Sequence, residues 1–219
     1  MKYPFTARAV LFDLDGTLAD TAPDLAAAVN LMREQRHLEL APYPTLRPHA
    51  SSGARGLLGS GFGITPSDEG YEAMRVEFLN NYERAICQHS TLFAGVTDLL
   101  AMIAERKMPW GIVTNKAARF TLPLIPLLGL QQAHCVISGD TTPHSKPHPA
   151  PLLEAARRLN LPPQDCCYIG DDLRDIQAAQ AAGMFSIAAA WGYCGSTEPL
   201  QWNADLLLHK PAELFNFLA

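Results

Sequence analysis

The stretch "VLFDLDGTLAD", Val10 to Asp20, drives an apolar run into two carboxylates that flank a leucine, with glycine and threonine directly after. A short run of β-branched and aromatic residues that ends in turn formers reads as a buried strand. Two aspartates at its tip admit two readings. Asp15-Gly16 is an ordinary turn pair, or the carboxylates are held at a strand end for chemistry. The rest of the chain weighs between them.

Five further apolar runs, "PWGIVT", "HCVISGD", "CCYIGDD", "MFSIAAAW" and "ADLLLH", alternate with segments of helix length. That alternation predicts an α/β fold, a doubly wound parallel sheet covered by helices on both faces. Between the first and second runs the pattern changes. From Thr21 to about Thr91 the periodicity is helical, as in "DLAAAVNLMREQ" and "EGYEAMRVEFLNNYERAI", and no strand is evident. A Gly/Ser/Pro-rich passage, "RPHASSGARGLLGSGFGITPSD", lies between those two helices. The expected organisation is an α/β core from residues 1–20 and 92–219 with a helical segment, 21–91, inserted after the first strand. The return point is expected near "LFAGVTDLL", where Gly95 precedes a helix leading to the second core strand.

The chain has 219 residues, 48% of them hydrophobic, enough to bury a substantial core. No apolar run approaches the roughly 20 residues that span a bilayer, and the start meets charges too early for a secretory signal. A cytoplasmic protein is expected. Cys87, Cys135, Cys166, Cys167 and Cys194 form no CxxC pair and no zinc spacing, so reduced and buried thiols are expected. A net charge of −5 argues against a nucleic-acid partner, whose binding needs a concentrated basic face. Small anions remain possible where local cations are supplied.

In doubly wound sheets ligands collect outside the carboxyl ends of the strands. Those positions hold Asp13 and Asp15, then Thr114 and Asn115, then Asp171, Asp172 and Asp175, with Lys146 in "HSKPHP" between the last two sets. Each residue alone has a bland account: a turn for Asp15, a helix-start lysine for Lys146, a β-former for Thr114, and first-turn acids for Asp171 to Asp175. Together and in order they point to one site.

This order resembles the haloacid dehalogenase-like superfamily and its phosphatases. The matching pieces are "DLDGT", Thr114, Lys146 and "GDDLRD", and with the helical insertion the resemblance covers nearly the whole chain. It implies a Rossmann-like hydrolase core and a Mg²⁺ cofactor, with Asp13 as nucleophile forming an aspartyl-phosphate and Asp15 as the acid/base. It further implies Asp13, the Asp15 carbonyl and Asp171 as metal ligands, supported by Asp175, and Thr114, the Asn115 amide, Lys146 and the N–H groups near Leu14 and Asp15 on the phosphoryl oxygens. Asp172 is either a helix N-cap or a metal neighbour.

Asp15 favours phosphoryl transfer over dehalogenation, and the absence of Lys between Thr21 and Phe93 leaves no Schiff base for a phosphonatase. A phosphomutase shares the core chemistry and ranks below a hydrolase. The insertion resembles the small cap of the phosphoglycolate phosphatase-like subfamily. There "LRPHASSGARGLL" corresponds to the specificity loop, with Arg55, Ser52, Gly53 and Ser51 as substrate contacts and His49 and Arg47 as weaker candidates. Trp191 and Tyr193 either edge the pocket or are simply buried. The implied substrate is 2-phosphoglycolate, with N-acetylmuramic acid 6-phosphate or another sugar phosphate as the alternative. A non-catalytic phosphate-binding or regulatory module is the alternative of a different class. The expected assembly is a monomer or a homodimer.

Overall fold

The computed structural model describes residues 6–195 and 197–218. In chain order the elements begin with β1 (Ala9–Phe12), β2 (Ala19–Asp20), α1 (Ala22–Gln35), α2 (Tyr43–Leu46), α3 (Gly53–Phe62), α4 (Tyr71–Arg84) and β3 (Thr91–Leu92). They continue with α5 (Val96–Glu105), β4 (Trp110–Val113), α6 (Ala118–Leu127), β5 (Cys135–Ile137), α7 (Ala150–Arg158) and β6 (Cys166–Gly170). Last come α8 (Leu173–Ala182), β7 (Phe185–Ala189), β8 (Leu206–Leu208) and α9 (Leu214–Phe217). Each of the six apolar runs supplies one strand of a wholly parallel sheet, in the order β5-β4-β1-β6-β7-β8.

Because side chains alternate along a strand, β1 serves both faces of the sheet. Val10 and Phe12 pack with Leu99 and Ile103 of α5 and Leu124 of α6. Ala9 and Leu11 face the other way, against Leu152 and Ala155 of α7 and Ala178 and Ala179 of α8. Every β1 side chain is essentially buried, and burying Phe12 alone contributes about 1.5–3 kcal/mol. The strand order reverses at β1, so the crevice between β4, β1 and β6 is the topological switch point.

Between β2 and β3 the chain forms α1 to α4 around a separate apolar cluster. In α1 its members, Ala22, Leu25, Ala26, Val29 and Met32, recur at helical spacing. Leu57 and Leu58 of α3 and Phe78 and Tyr82 of α4 complete the cluster, and Phe120 and Tyr193 meet it from the sheet side. The crossing itself is a two-stranded antiparallel ribbon, with Ala19 opposite Leu92 and Asp20 opposite Thr91. No such strands are expected from the sequence, because two residues carry no periodicity. Gly95 has φ of 88° and precedes α5, the left-handed conformation that a glycine adopts without strain.

Tyr193 joins insert to sheet. Its hydroxyl accepts from the N–H groups of Thr21 (2.8 Å) and Ala22 (2.9 Å) and donates to Asp20 Oδ1 (2.9 Å). Thr21, the N-cap of α1, makes no side-chain cap bond, so an aromatic hydroxyl from the far end of the chain satisfies these donors. Burial therefore describes Tyr193, and Trp191 is half-buried with its indole N–H on Thr17 O at 3.0 Å. The carboxylate of Asp24 fastens the same helix to the returning chain through the N–H groups of His89 and Ser90, each at 2.9 Å.

Candidate active site

The carboxyl ends of β1, β4 and β6 open onto a cavity of about 420 Å³ between sheet and insert, a size ordinary for a small-molecule site. Asp13, Asp15, Thr114 and Lys146 line it from the sheet, and Ser52, Gly53, Phe78 and Tyr82 from the insert.

Asp13 follows β1 directly, and its N–H donates to Ile169 O at 2.8 Å, which extends the β1–β6 ladder by one rung. Its Oδ1 lies 2.9 Å from Lys146 Nζ. It also accepts from the Leu14 N–H at 2.8 Å, so that donor is turned to Asp13 rather than outward. Leu14 itself is fully buried in the core.

Lys146 comes from the loop before α7, yet it is fixed closely. The Asn115 side chain accepts from the Lys146 N–H and donates to the Lys146 carbonyl, both at 2.9 Å. The Asn115 side chain thus clamps the lysine backbone, and Asn115 also lines the cavity. The ammonium then meets Asp175 Oδ1 (2.6 Å), the Tyr168 hydroxyl (2.7 Å), Val113 O (3.0 Å) and Asp13. Burial works against its charge, but Asp13 and Asp175 more than restore it and hold its pKa above the ordinary lysine value. Tyr168 has no place in the sequence reading. Its only signal is a phenol within the strand run "CCYIG", since a buried hydroxyl requires partners.

Asp171 ends β6 and sits in a cradle of glycines. A Cβ on Gly16 would fall 2.0 Å from Asp171 Oδ2, and one on Gly192 would fall 2.2 Å from Asp171 Cβ. Thr17 Oγ1 donates to its Oδ1 (3.2 Å) and the Tyr193 N–H to its Oδ2 (2.8 Å). Asp172 is the N-cap of α8: its side chain accepts from the Arg174 N–H, while Asp175 reaches back to the Asp172 N–H in a capping box. Of the two readings of Asp172, the cap is the one adopted. Arg174 also grips the Asp172 carboxylate through Nε and Nη2, each at 2.8 Å, and donates to Ser51 O of the insert at 2.7 Å.

One carboxylate oxygen from each of Asp13, Asp171 and Asp175 lies within 4.8 Å of the others. Three buried carboxylates against the single ammonium of Lys146 leave two negative charges, which a divalent cation would balance. Burial above all, helped by the neighbouring carboxylates, pushes Asp13 up to about 7 against the pull of Lys146 and raises Asp171 well above the usual range. An all-oxygen donor set suits a hard cation. The Asp15 carboxylate stands outside this cluster. Its Oδ1 lies 2.9 Å from Lys116 Nζ and accepts from Thr21 Oγ1. Lys116, the residue after Asn115, is absent from the sequence reading as well; its one signal is a lysine directly after a strand-end pair.

The insert departs from expectation at Arg55. Ser51, Ser52 and Gly53 reach the cavity, but Arg55 is exposed and outside its lining. From Gly53 onward α3 turns Leu57, Leu58 and Gly61 inward, and residue 55 falls off that stripe. His49 is exposed, and Arg47 is spent on the junction, with Nη1 3.4 Å from Gly192 O and its guanidinium 4.9 Å from the Tyr193 ring centroid. The arginine that does line the cavity from the insert is Arg75 of α4, which Glu72 holds through contacts of 2.6–3.1 Å.

A Rossmann-like sheet with buried carboxylates and a buried lysine at its switch point, beneath a helical insert, has the architecture of an α/β enzyme. The chain belongs to the haloacid dehalogenase-like hydrolases, whose family pattern matches residues 10–189. It is 46% identical over 217 residues to a phosphoglycolate phosphatase of Xanthomonas campestris pv. campestris (strain 8004), covering 98% of this chain and 96% of that protein. It is 42% identical over 209 residues, 94% of each chain, to an N-acetylmuramic acid 6-phosphate phosphatase of Pseudomonas putida (strain KT2440). The fold matches the crystal structure of a predicted phosphoglycolate phosphatase from Haemophilus somnus 129pt with a TM-score of 0.87 at 24% identity, covering 99% of this chain and 100% of that one. By this kinship the protein is a phosphatase.

Proposed function

We propose that the protein is a Mg²⁺-dependent phosphomonoesterase that acts through an aspartyl-phosphate, with 2-phosphoglycolate as its substrate. The observation that carries the reading is the buried cluster of Asp13, Asp171 and Asp175 at the switch point, with Lys146 paired to Asp13 and Asp175. Bare carboxylates would repel a phosphate: two unit charges 4 Å apart cost about 4 kcal/mol at an effective dielectric of 20. Asp13, Asp171 and Asp175, with the Asp15 carbonyl as a further ligand, would hold a divalent cation, which would offset that repulsion and supply Lewis-acid polarisation of the phosphoryl group. Lys146 supplies the second positive charge and aims the Asp13 carboxylate.

Asp13 attacks phosphorus, forming a bond to it as the ester oxygen leaves. Asp15, turned away from the acid cluster toward Lys116, gives the departing alkoxide its proton and then takes one from the water that opens the acyl phosphate. The Thr114 hydroxyl donates to a phosphoryl oxygen. Asn115, Tyr168 and Asp175 act through Lys146, which they position. Residues 21–91 serve as a cap over the cavity, with the ribbon of β2 and β3 as its crossing. Arg174 on Ser51 O joins sheet to cap. Five cysteines without a disulfide among them suit a cytoplasmic home.

The test is phosphate release from 2-phosphoglycolate, N-acetylmuramic acid 6-phosphate and p-nitrophenyl phosphate, with and without EDTA. Mg²⁺-dependent turnover that favours 2-phosphoglycolate in kcat/KM is expected. A preference for the sugar phosphate would move the assignment to the alternative, and folded, Mg²⁺-supplied protein that cleaves none of the three would sink it.

Metal dependence should also appear in stability. Asp13 is raised from 3.8 to about 7, so its contribution to metal-free stability is full below the unfolded value and is lost as pH rises through about 7. Mg²⁺ replaces those protons, so it should stabilise most where they are gone. At a fixed concentration of about 100 times its Kd at pH 8, Mg²⁺ is expected to raise Tm by roughly 5–10 °C near pH 8 and, because protons then compete for the site, by under about 2 °C near pH 5. Equal shifts in a thermal scan at the two pH values would contradict a site built on these carboxylates.

A further inference from the structure

We propose that Lys116 and Tyr82 form a carboxylate-recognising end of the cavity, one that selects phosphate esters whose ester-bearing carbon also carries a carboxylate. The proposal rests on the phosphatase reading above. It adds two residues, one from the sheet and one from the insert, that fix the identity of the leaving group.

The Lys116 side chain is 10% exposed, and its ammonium lies 2.9 Å from Asp15 Oδ1 and 4.8 Å from the centroid of the Tyr82 ring. An ammonium carries three N–H groups. Among the described residues Asp15 is its only ion-pair partner, and the ring offers a π-face in place of a further carboxylate. Burial opposes the lysine's charge, but the adjoining Asp15 carboxylate restores it, so the group is a cation. The Tyr82 hydroxyl is buried and has no hydrogen-bond partner among the described residues, although Tyr82 lines the cavity. A buried donor left unpaired is costly. A cation with unspent N–H groups and a phenol without a partner thus converge on one corner, between core and cap. The ligand group that answers both is an anionic oxygen acceptor.

Bond connectivity says which anion fits. A substrate's ester oxygen must reach Asp15 to receive a proton, and Asp15 is already in contact with Lys116. In the phosphate ester of a 2-hydroxy acid the carboxyl carbon is two bonds from that oxygen, so the carboxylate falls beside the ammonium. The lactyl carboxylate of a muramyl sugar is many bonds from the 6-phosphate and would miss this corner. The apolar walls contributed by Phe78 and Leu79 suit the short carbon chain between the two anionic ends.

The test compares kcat/KM for 2-phosphoglycolate with that for 2-hydroxyethyl phosphate, which has the same length and a hydroxymethyl group in place of the carboxylate. p-Nitrophenyl phosphate reports on the phosphoryl machinery. Wild-type enzyme is expected to prefer the acid by roughly 100-fold, as sites built around a buried polar partner do. Lys116→Met should collapse that ratio to within about 5-fold, Lys116→Arg should keep most of it, and Tyr82→Phe should lower it roughly 10-fold. Reading a ratio within each variant cancels the loss Asp15 suffers when its partner is removed. Should Lys116→Met fail to fold, the wild-type ratio and Tyr82→Phe decide. A wild-type ratio near one, or variants that slow both esters equally, would overturn the proposal while the phosphatase reading stood. Failure to cleave all three esters would overturn both.

Discussion

Asp13→Asn protein is expected to fold and to turn over nothing: a loss on the order of 10⁴-fold or more in kcat on every ester tried. An amide cannot form the acyl phosphate, and nothing else at the end of β1 can replace it. Asp15 is the nearest carboxylate in sequence, but it points to Lys116 and Thr21 instead of into the acid cluster. The loss should be equally deep on p-nitrophenyl phosphate, whose leaving group needs no proton donor, and this separates Asp13 from Asp15. Asp15→Asn should slow alkyl esters far more than the nitrophenyl ester. The fold should survive Asp13→Asn because burial disfavours the ionised carboxylate at this position, and the neutral amide avoids that cost. Acid-quenched wild-type protein caught during turnover should yield a phosphorylated peptide containing Asp13. Turnover retained in the asparagine variant would remove the nucleophile from the mechanism.

Why Asp13 was readable and its neighbours were not is a matter of range. Strand runs such as "AVLF" and "CCYIG" declare themselves by local composition, and the residue after each run is placed by that alone. So the parallel α/β sheet, and the positions of Asp13, Thr114 and Asp171 at its edge, follow from the order of runs. Asp172 needed only its own helix to be resolved, since a capping box spans four residues. Asn115 is a different case. Its strand-end position is legible in the sequence, but the pair of hydrogen bonds its side chain closes with a backbone 31 residues away is not. Arg55 depended on the phase of α3, set by packing against α1, which a Gly-rich passage conceals. Tyr168, Lys116 and Tyr82 owe their roles to contacts between elements far apart in sequence, where periodicity carries no information. Tyr193 shows the limit best: its hydroxyl caps a helix that begins 171 residues earlier.

Gly192→Ala is expected to damage the proposed metal site without replacing any of its carboxylates. The backbone at Gly192 does not require glycine by its φ, so the whole cost is steric. An alanine methyl there would stand 2.2 Å from Asp171 Cβ and 2.4 Å from Gly16 O, and neither can swing aside: one belongs to a side chain anchored by Thr17 and Tyr193, the other to the turn after Asp15. Overpacking of this kind costs about 1–3 kcal/mol, and displacing a ligating carboxylate lowers metal affinity by roughly 10–100-fold. Gly59→Ala provides the contrast, because its added methyl would meet nothing closer than Ile64 O at 3.9 Å within a helix. That variant should be unchanged or about 0.5–1 kcal/mol more stable. Urea titrations with and without Mg²⁺ separate the two costs: for Gly192→Ala the midpoint should fall and the Mg²⁺ increment should shrink. A Gly192→Ala protein that kept the full increment would show that Asp171 can hold its ion without the glycine cradle. Gly16 would then serve its turn alone.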